Sequence, residues 1–234
     1  QDDANEGNNE DTTEIGEAIN IAYPAAPPHL DSHASPSQQT ADISKYIFET
    51  LVTVDSDFNV QPMLAESWEQ SEDGTTLTFH LRQGVTFHNG KEMTSEDVVA
   101  SLERWIRLSS LGKADFAGAT IEAPDEYTVV ITQPEPVSTA LTTLAYGGGN
   151  YASIMPKEVV ENAPDEGVEE YIGTGPFKFE EWKQDQYIYL TRFEDYQPLD
   201  MPTDGLAGKK EALVEGLYFM IVPDPSTRLA GIQS

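Results

Sequence analysis

The 234-residue sequence contains no cysteine, which excludes disulfide bonds and thiolate chemistry. It also lacks an apolar run of the roughly 20 residues that a membrane-spanning helix needs. It opens without an initiator methionine or a signal peptide, so we expect that an N-terminal segment has been removed. The chain is long enough to bury a substantial core, as one large domain or two small ones.

Basic residues are scarce: 13 lysines and arginines face 41 acidic residues, for a formal net charge of −28. Such a charge repels nucleic acid and anionic membranes, so we expect neither as a direct partner. An acid-rich surface suits saline or alkaline surroundings, and capture of cations is the alternative explanation.

Catalytic motifs are missing as well. The sequence has no nucleophile elbow, no H-E-x-x-H, no P-loop and no dinucleotide fingerprint. A glycosidase would need a pair of carboxylates, but nothing selects two of the 41. We therefore expect a protein that is not an enzyme and that needs no cofactor.

The first 17 residues hold seven acids and no base. A segment with so little apolar surface cannot offset the conformational entropy lost on ordering. Residues 1–17 are therefore predicted to form a flexible acidic tether. A loose terminus without a role is the alternative.

Large apolar residues occupy every second position from Ile19 to Tyr23. This period of two predicts a strand, which Pro24 ends. A loop with four prolines follows over residues 24–36, and the spacing of Ile43, Tyr46, Ile47 and Leu51 predicts a helix after it. This order places the loop at the carboxyl end of a strand, where α/β sheets tend to bind ligands.

Over residues 52–167 the sequence pattern becomes typical of hairpins and short helices, which predicts a separate α+β subdomain. Thr94 and Asp97 have the spacing of a capping box, and a turn at Pro124-Asp125 predicts a second hairpin. Two short helices are predicted to begin at Ser138 and at Pro156.

Residues 173–196 begin GTGP and continue as two alternating runs, which predicts a turn followed by a hairpin. The apolar run 217–222 predicts a strand buried on both faces. Asp224 followed by Pro225 predicts a final helix with its cap.

These motifs, taken together, resemble the extracytoplasmic solute-binding proteins that serve peptide, dipeptide and nickel ABC importers. The resemblance covers nearly everything after about Glu14. The segments that carry it are residues 47–55 (IFETLVTVD), 62–90, 94–105 (TSEDVVASLERW), 173–196 and 224–234 (DPSTRLAGIQS).

The resemblance implies an α/β, periplasmic-binding-protein-like (type II) lobe with an inserted α+β subdomain rich in hairpins. Residues 18–51 and 168–234 would carry the main sheet, and residues 52–167 would form the insertion. A second lobe would follow Ser234, so the chain is expected to be truncated.

The same resemblance implies reversible capture of dipeptides or oligopeptides and their delivery to ABC permease subunits. It further implies a monomer on the extracellular face of a Gram-positive membrane, held by an N-terminal lipid anchor, or else in a periplasm. A nickel or metal-chelate carrier, a secreted hydrolase and a surface sensor are the alternatives.

Two loops are the candidate ligand-binding site, because the family places both in its cleft. Hydroxyl and amide groups in the first can satisfy a peptide backbone, while glycines and tyrosines in the second permit close approach. The alternatives are a helix N-cap and a helix C-terminal stop. The candidates are Ser35, Ser37, Gln38, Gln39, Tyr146, Gly148, Asn150 and Tyr151.

The two loops, residues 24–40 and 146–151, are predicted to converge on one face of the protein. The first loop also contains His29 and His33, which form a weak alternative as metal ligands. Pro27 and Pro28 favour an extended loop, in which the two imidazoles do not share a helical face.

The excess of acidic residues predicts that salt stabilises the protein, because screening weakens repulsion between like charges. We expect the melting temperature to rise between low and molar sodium chloride, as measured by thermal unfolding. A melting temperature that does not rise would contradict this explanation of the charge.

Overall fold

The computed structural model describes residues 15–233. Its helices are α1 (Gln38–Ser44), α2 (Ser95–Leu108), α3 (Ser110–Asp115), α4 (Ala140–Ala145), α5 (Lys157–Glu161) and α6 (Pro225–Gln233). Its strands are β1 (Ile19–Tyr23), β2 (Val52–Val54), β3 (Val60–Pro62), β4 (Ala65–Gln70), β5 (Thr76–Leu81), β6 (Thr120–Asp125), β7 (Thr128–Thr132), β8 (Phe177–Lys183), β9 (Tyr187–Arg192) and β10 (Gly216–Ile221).

The first sheet joins the two ends of the chain. Its strand order is β1-β10-β9-β8, with β1 parallel to β10 and the other pairs antiparallel. Ile21 lies opposite Phe219 in the parallel pair. The predicted first strand, the hairpin after GTGP and the return of the chain to the first sheet are all confirmed.

The second sheet is antiparallel, in the order β4-β5-β7-β6, and a two-stranded ribbon of β2 and β3 precedes it. Leu77, Phe79 and Leu81 point into the core from one face of β5, as their alternation predicts. The turn predicted at Pro124-Asp125 is wrong by two residues. Asp125 stays in β6 and its carboxylate accepts a hydrogen bond from the backbone N–H of Tyr127, which moves the turn beyond it.

The helix predicted across Ile43 and Leu51 is shorter than its periodicity indicated, because α1 ends at Ser44. The carbonyl groups of the following turns bond elsewhere: Tyr46 O accepts from Phe177 N and Ile47 O accepts from Gly175 N. These bonds to the GTGP segment replace the continuation of the helix.

The predicted helix caps are present. Thr94 N donates to the Asp97 carboxylate at 3.0 Å, which completes the capping box of α2. Asp224 accepts from Thr227 N at 2.7 Å at the start of α6. Both helices therefore begin where the sequence indicated.

The buried apolar residues form two clusters. The first lies between the second sheet, the β2–β3 ribbon and one side of α2, and the second lies under the first sheet and α1. Tyr151, Met155 and Val160 belong to the second cluster. The assignment of residues 52–167 to a separate subdomain stays a prediction.

The start of the described chain is joined to the segment before β10. Gly16 N donates to Leu213 O at 2.8 Å, and Glu215 N donates to Gly16 O at 2.9 Å. The rest of the predicted tether, residues 1–14, lies outside the described residues. Within residues 15–233, no helix combines the length and apolar character needed to cross a bilayer.

A buried ion pair links the first loop to α2. Arg104 donates from Nη2 to Asp31 Oδ2 at 2.7 Å, and the two side chains are 2% and 0% exposed. Asp31 also accepts from the backbone N–H groups of His33 and Val168. Burial alone would raise the pKa of Asp31, but the neighbouring His33 and Arg104 outweigh it and hold the pKa below its ordinary value.

Replacing Arg104 should therefore destabilise the protein strongly, because Asp31 would remain buried without its counter-ion. We expect Arg104→Gln to lower the free energy of unfolding by about 3 to 5 kcal/mol in urea titrations. Arg107→Gln is the matched control, since Arg107 pairs with Asp165 at the surface of the same helix and should cost less than about 1 kcal/mol. Similar losses in both variants would contradict this role of the buried pair.

Candidate ligand-binding site

The two candidate loops lie against each other, as predicted. Asn150 N donates to Ser35 O at 3.0 Å, and Asn150 Nδ2 donates to His33 O at 2.9 Å. The loops approach so closely that a Cβ on Gly149 would lie 2.1 Å from Pro36 O. Only glycine fits at position 149, because any side chain would collide with Pro36. The contact between the two loops places both on one side of the protein.

Several of the candidate side chains turn inward and are used by the fold. Ser35 is buried and its hydroxyl accepts from Thr40 Oγ1, and Tyr151 is 1% exposed with its hydroxyl bonded to Ser44 Oγ at 2.9 Å. Ser37 caps α1. These three side chains do not face solvent freely, because the polar groups of the loop must be satisfied internally.

The remaining candidates are more accessible. Gln38 is exposed, Gln39 and Gly148 are half-buried, and Tyr146 is 46% exposed with its hydroxyl packed over Gly148. Asn150 has a left-handed backbone, with φ of 58°, and its side chain holds the first loop in place. A role in ligand binding stays a prediction for the whole set.

A cavity of about 660 Å³ lies beside the second loop. Its size suits a small molecule or a short peptide. It is lined by Asp42, Lys45, Tyr46, Phe48, Glu49, Thr50, Thr53, Met63, Ala145, Gly147, Tyr151, Pro176, Phe177, Thr203, Gly205, Leu206, Ala207, Lys209, Lys210, Glu211 and Leu213.

Sequence reasoning missed most of this lining, including the end of α1 and the segment 203–213. Two signals were available in the sequence. Lys209 and Lys210 are adjacent in a chain with only 13 basic residues, and Leu206 and Leu213 stand in a polar segment. Neither signal shows which residues the 203–213 segment would contact, because only the tertiary fold brings this segment next to α1.

Glu49 ties the walls of the cavity together. Its buried carboxylate accepts from Thr174 Oγ1 at 3.0 Å, from the Tyr196 hydroxyl at 2.9 Å and from Lys210 Nζ at 3.4 Å. Burial, followed by the charge of Glu49, raises the pKa of Tyr196, so the phenol stays protonated and donates. The GTGP segment and the 203–213 segment are thus joined through one side chain.

His88 also contacts the GTGP segment. Gly173 N donates to His88 Nδ1 at 3.3 Å, and His88 Nε2 lies 2.9 Å from Gly175 O. These partners assign the neutral tautomer with hydrogen on Nε2. Burial is the main cause that lowers the pKa of His88 to about 4. The glycines themselves pack on Ile47, where a Cβ on Gly173 would lie 2.1 Å from the carbonyl oxygen.

The two histidines of the first loop, His29 and His33, have different hydrogen-bond partners. His29 Nδ1 accepts from Asp31 N, whereas His33 is fully buried, with Nε2 2.8 Å from Ser153 O and Nδ1 3.3 Å from Arg104. Burial lowers the pKa of His33 to about 4. Both ring nitrogens of His33 already have protein partners, so this ring has no free position for a metal. In residues 15–233, no three potential ligand side chains are grouped to hold a metal ion.

The sequence pattern described as "Bacterial extracellular solute-binding proteins, family 5 Middle" matches residues 59–234. The chain belongs to this family. Family 5 groups bacterial extracellular solute-binding proteins.

A probable peptide ABC transporter periplasmic-binding protein of Sinorhizobium fredii is 35% identical over 208 residues, which are 85% of this chain and 39% of that protein. The Helicobacter pylori periplasmic binding protein DppA, in complex with the peptide STSA, has a TM-score of 0.80 and 26% identity. Its match covers 95% of this chain and 46% of that one. NikA of Brucella suis, in complex with Fe(III)-EDTA, has a TM-score of 0.77 and 28% identity over 92% and 41% of the two chains.

The α/β periplasmic-binding-protein fold expected from the resemblance is thereby confirmed. The chain spans less than half the length of the family 5 proteins that it matches.

The contacts of His88 with Gly173 and Gly175 predict that acid destabilises the fold, because protonation of His88 would disrupt them. A histidine whose pKa is about 4 in the folded state and near its ordinary 6.5 when unfolded contributes stability above pH 6.5, which is lost as the pH falls toward 4. At about 1.4 kcal/mol per pKa unit, the loss is roughly 2 to 3 kcal/mol.

We expect the stability difference between the wild type and His88→Gln to shrink by that amount between pH 7.5 and pH 4.5, measured by urea unfolding. The comparison cancels the titration of the carboxylates and of His33, which both proteins share. His80→Gln is the control, because His80 is a more exposed histidine of β5. A difference that stays constant with pH would contradict the neutral, buried state of His88.

Proposed function

We propose that this chain is one lobe of the substrate-binding component of an ABC importer, which captures dipeptides or oligopeptides outside the cell and delivers them to the permease. The observation that carries the proposal is the 660 Å³ cavity beside the two contacting loops, in a chain of family 5. Binding requires no chemistry and is reversible, so closure of a second lobe over the ligand would suffice.

The lining of the cavity supports a peptide as ligand. It combines apolar surface from Tyr46 and Leu206 with hydroxyl groups from Thr50 and Thr203 and with charged side chains from both walls. A peptide offers apolar side chains, backbone amides and charged ends in the same molecule. The Sinorhizobium fredii protein, a probable peptide ABC transporter periplasmic-binding protein, and the Helicobacter pylori protein in complex with the peptide STSA support the same class of ligand.

The partners proposed for the complete receptor are the ABC permease subunits and a short peptide. The receptor would act as a monomer on the extracellular face of the membrane, held by an N-terminal lipid anchor, or free in a periplasm. Its net charge of −28 opposes contact with nucleic acid or with an anionic lipid surface.

A metal chelate is the second candidate, favoured by the structural likeness to NikA of Brucella suis with Fe(III)-EDTA. Such a ligand would be bound as a complex with its chelator, so protein ligands such as His33 would not be needed. Titration with Fe(III)-EDTA, alongside peptides, separates the two candidates.

The proposed function predicts that the isolated 234-residue chain binds peptides far more weakly than the full-length receptor. One lobe leaves much of the solute in water, and every 1.4 kcal/mol of lost contact is about tenfold in affinity. We expect affinities that differ by orders of magnitude in calorimetric titrations with di- to hexapeptides. Equal affinities would place the whole site within these residues, and binding of Fe(III)-EDTA alone would favour the second candidate.

A further inference from the structure

The cavity holds an unusual share of the basic residues. Three of the eight lysines of the chain line it, namely Lys45, Lys209 and Lys210, although acids outnumber bases by 41 to 13 overall. The same lining contains three acidic residues, Asp42, Glu49 and Glu211, so the partner of each ammonium group decides what the site can bind.

Two of these lysines already have counter-ions. Lys209 Nζ lies 2.6 Å from Glu211 Oε1, and Lys210 Nζ lies 3.4 Å from Glu49 Oε1. The side chain of Lys45, by contrast, has neither a hydrogen bond nor an ion pair to any residue in the range 15–233. Among the lysines of the lining, Lys45 is thus the one without a direct acidic contact within residues 15–233.

The nearest acidic candidate for Lys45 is engaged elsewhere. Asp42 lies one turn earlier in α1, and its two carboxylate oxygens accept from the hydroxyl of Tyr23 and from Gln38 Nε2. Asp42 influences Lys45 only through space. Burial, which Lys210 reinforces and Asp42 opposes, lowers the pKa of Lys45 below its ordinary value.

The Lys45 ammonium lies close to the second loop. A Cβ on Gly147 would lie 3.6 Å from Lys45 Nζ, 3.4 Å from Lys45 Cε and 3.3 Å from Leu206 Cδ1. The amine therefore lies between the 146–151 loop and the 203–213 segment, on the wall of the cavity. Tyr46, Leu206 and Leu213 are large apolar side chains of the same lining that remain partly exposed.

We propose that Lys45 binds a carboxylate of the captured ligand, whose apolar part lies against Tyr46, Leu206 and Leu213. The proposal rests on the proposed function and adds to it the chemical class of the solute, an organic anion. A half-buried ammonium without a counter-ion is costly, and a carboxylate entering the cavity removes that cost and gains a charge-assisted hydrogen bond. In a peptide, the carboxylate could be the C-terminus or an acidic side chain, and both have the same chemistry.

The test compares three tetrapeptides on the full-length receptor by calorimetry: tetraalanine, tetraalanine amide and Ala-Glu-Ala-Ala amide. We expect at least one of the two carboxylate-bearing peptides to bind tenfold or more tightly than tetraalanine amide, which has no carboxylate. The peptide that does so identifies the C-terminal or the side-chain source.

Lys45→Gln should abolish that advantage, Lys45→Arg should retain most of it, and Lys113→Gln, an exposed lysine of α3 outside the cavity, should leave it unchanged. A Lys45→Gln variant that keeps the advantage would overturn the proposal. So would one that weakens all three peptides equally, because Lys45 would then pair with the protein itself.

A second measurement does not depend on peptide binding. Lysines of the receptor are labelled by reductive ¹³C-dimethylation, which keeps their charge, and the Lys45 signal is identified by its absence in Lys45→Arg. Sodium acetate should shift this signal saturably, and sodium chloride at equal ionic strength should not. Failure of all three tetrapeptides and of the di- to hexapeptide mixture to bind, together with a saturable acetate shift, would reject the peptide function and support the carboxylate site. No specific acetate shift would overturn the site.

Discussion

The buried ion pair between Asp31 and Arg104 is the constraint on which the candidate site depends. It fastens a proline-rich loop to α2, and the same carboxylate holds the backbone of Val168. Arg104 belongs to a helix whose other face packs in the first apolar cluster, whereas the loop leads into the second. A charge pair without access to water tolerates little displacement, so the loop is presented to its partner, residues 146–151, in one arrangement.

A second set of polar contacts defines the cavity. Glu49 binds the GTGP segment through Thr174 and the 203–213 segment through Lys210, while His88 contacts Gly173 and Gly175. These contacts fix the walls with hydrogen bonds between buried groups, and the side chains that reach the opening are left for a ligand. Preorganisation of this kind lowers the cost of ordering the site when a solute binds.

The distribution of charge separates the surface from the site. Within residues 15–233 most acidic residues are exposed to solvent, whereas Lys45, Lys209 and Lys210 line the cavity. Lys209 and Lys210 are paired with Glu211 and Glu49, and Lys45 has no such pair within residues 15–233. The large net negative charge does not conflict with the carboxylate site proposed at Lys45, since at physiological ionic strength charges beyond about 8 Å are strongly screened.

The sequence by itself determined the elements whose signals are local. The strand at residues 19–23, the capping box of Thr94 and Asp97, the cap at Asp224 and the hairpin after GTGP follow from period-two alternation and from side chains that bond within one turn. The motifs also indicated the family. Only the tertiary structure decided where α1 ends, because the carbonyls of Tyr46 and Ile47 bond to a segment about 130 residues away. It also decided that Ser35 and Tyr151 are interior groups and that Lys45 meets Gly147 and Leu206, because burial and electrostatic partners are set by distant parts of the chain that no local pattern encodes.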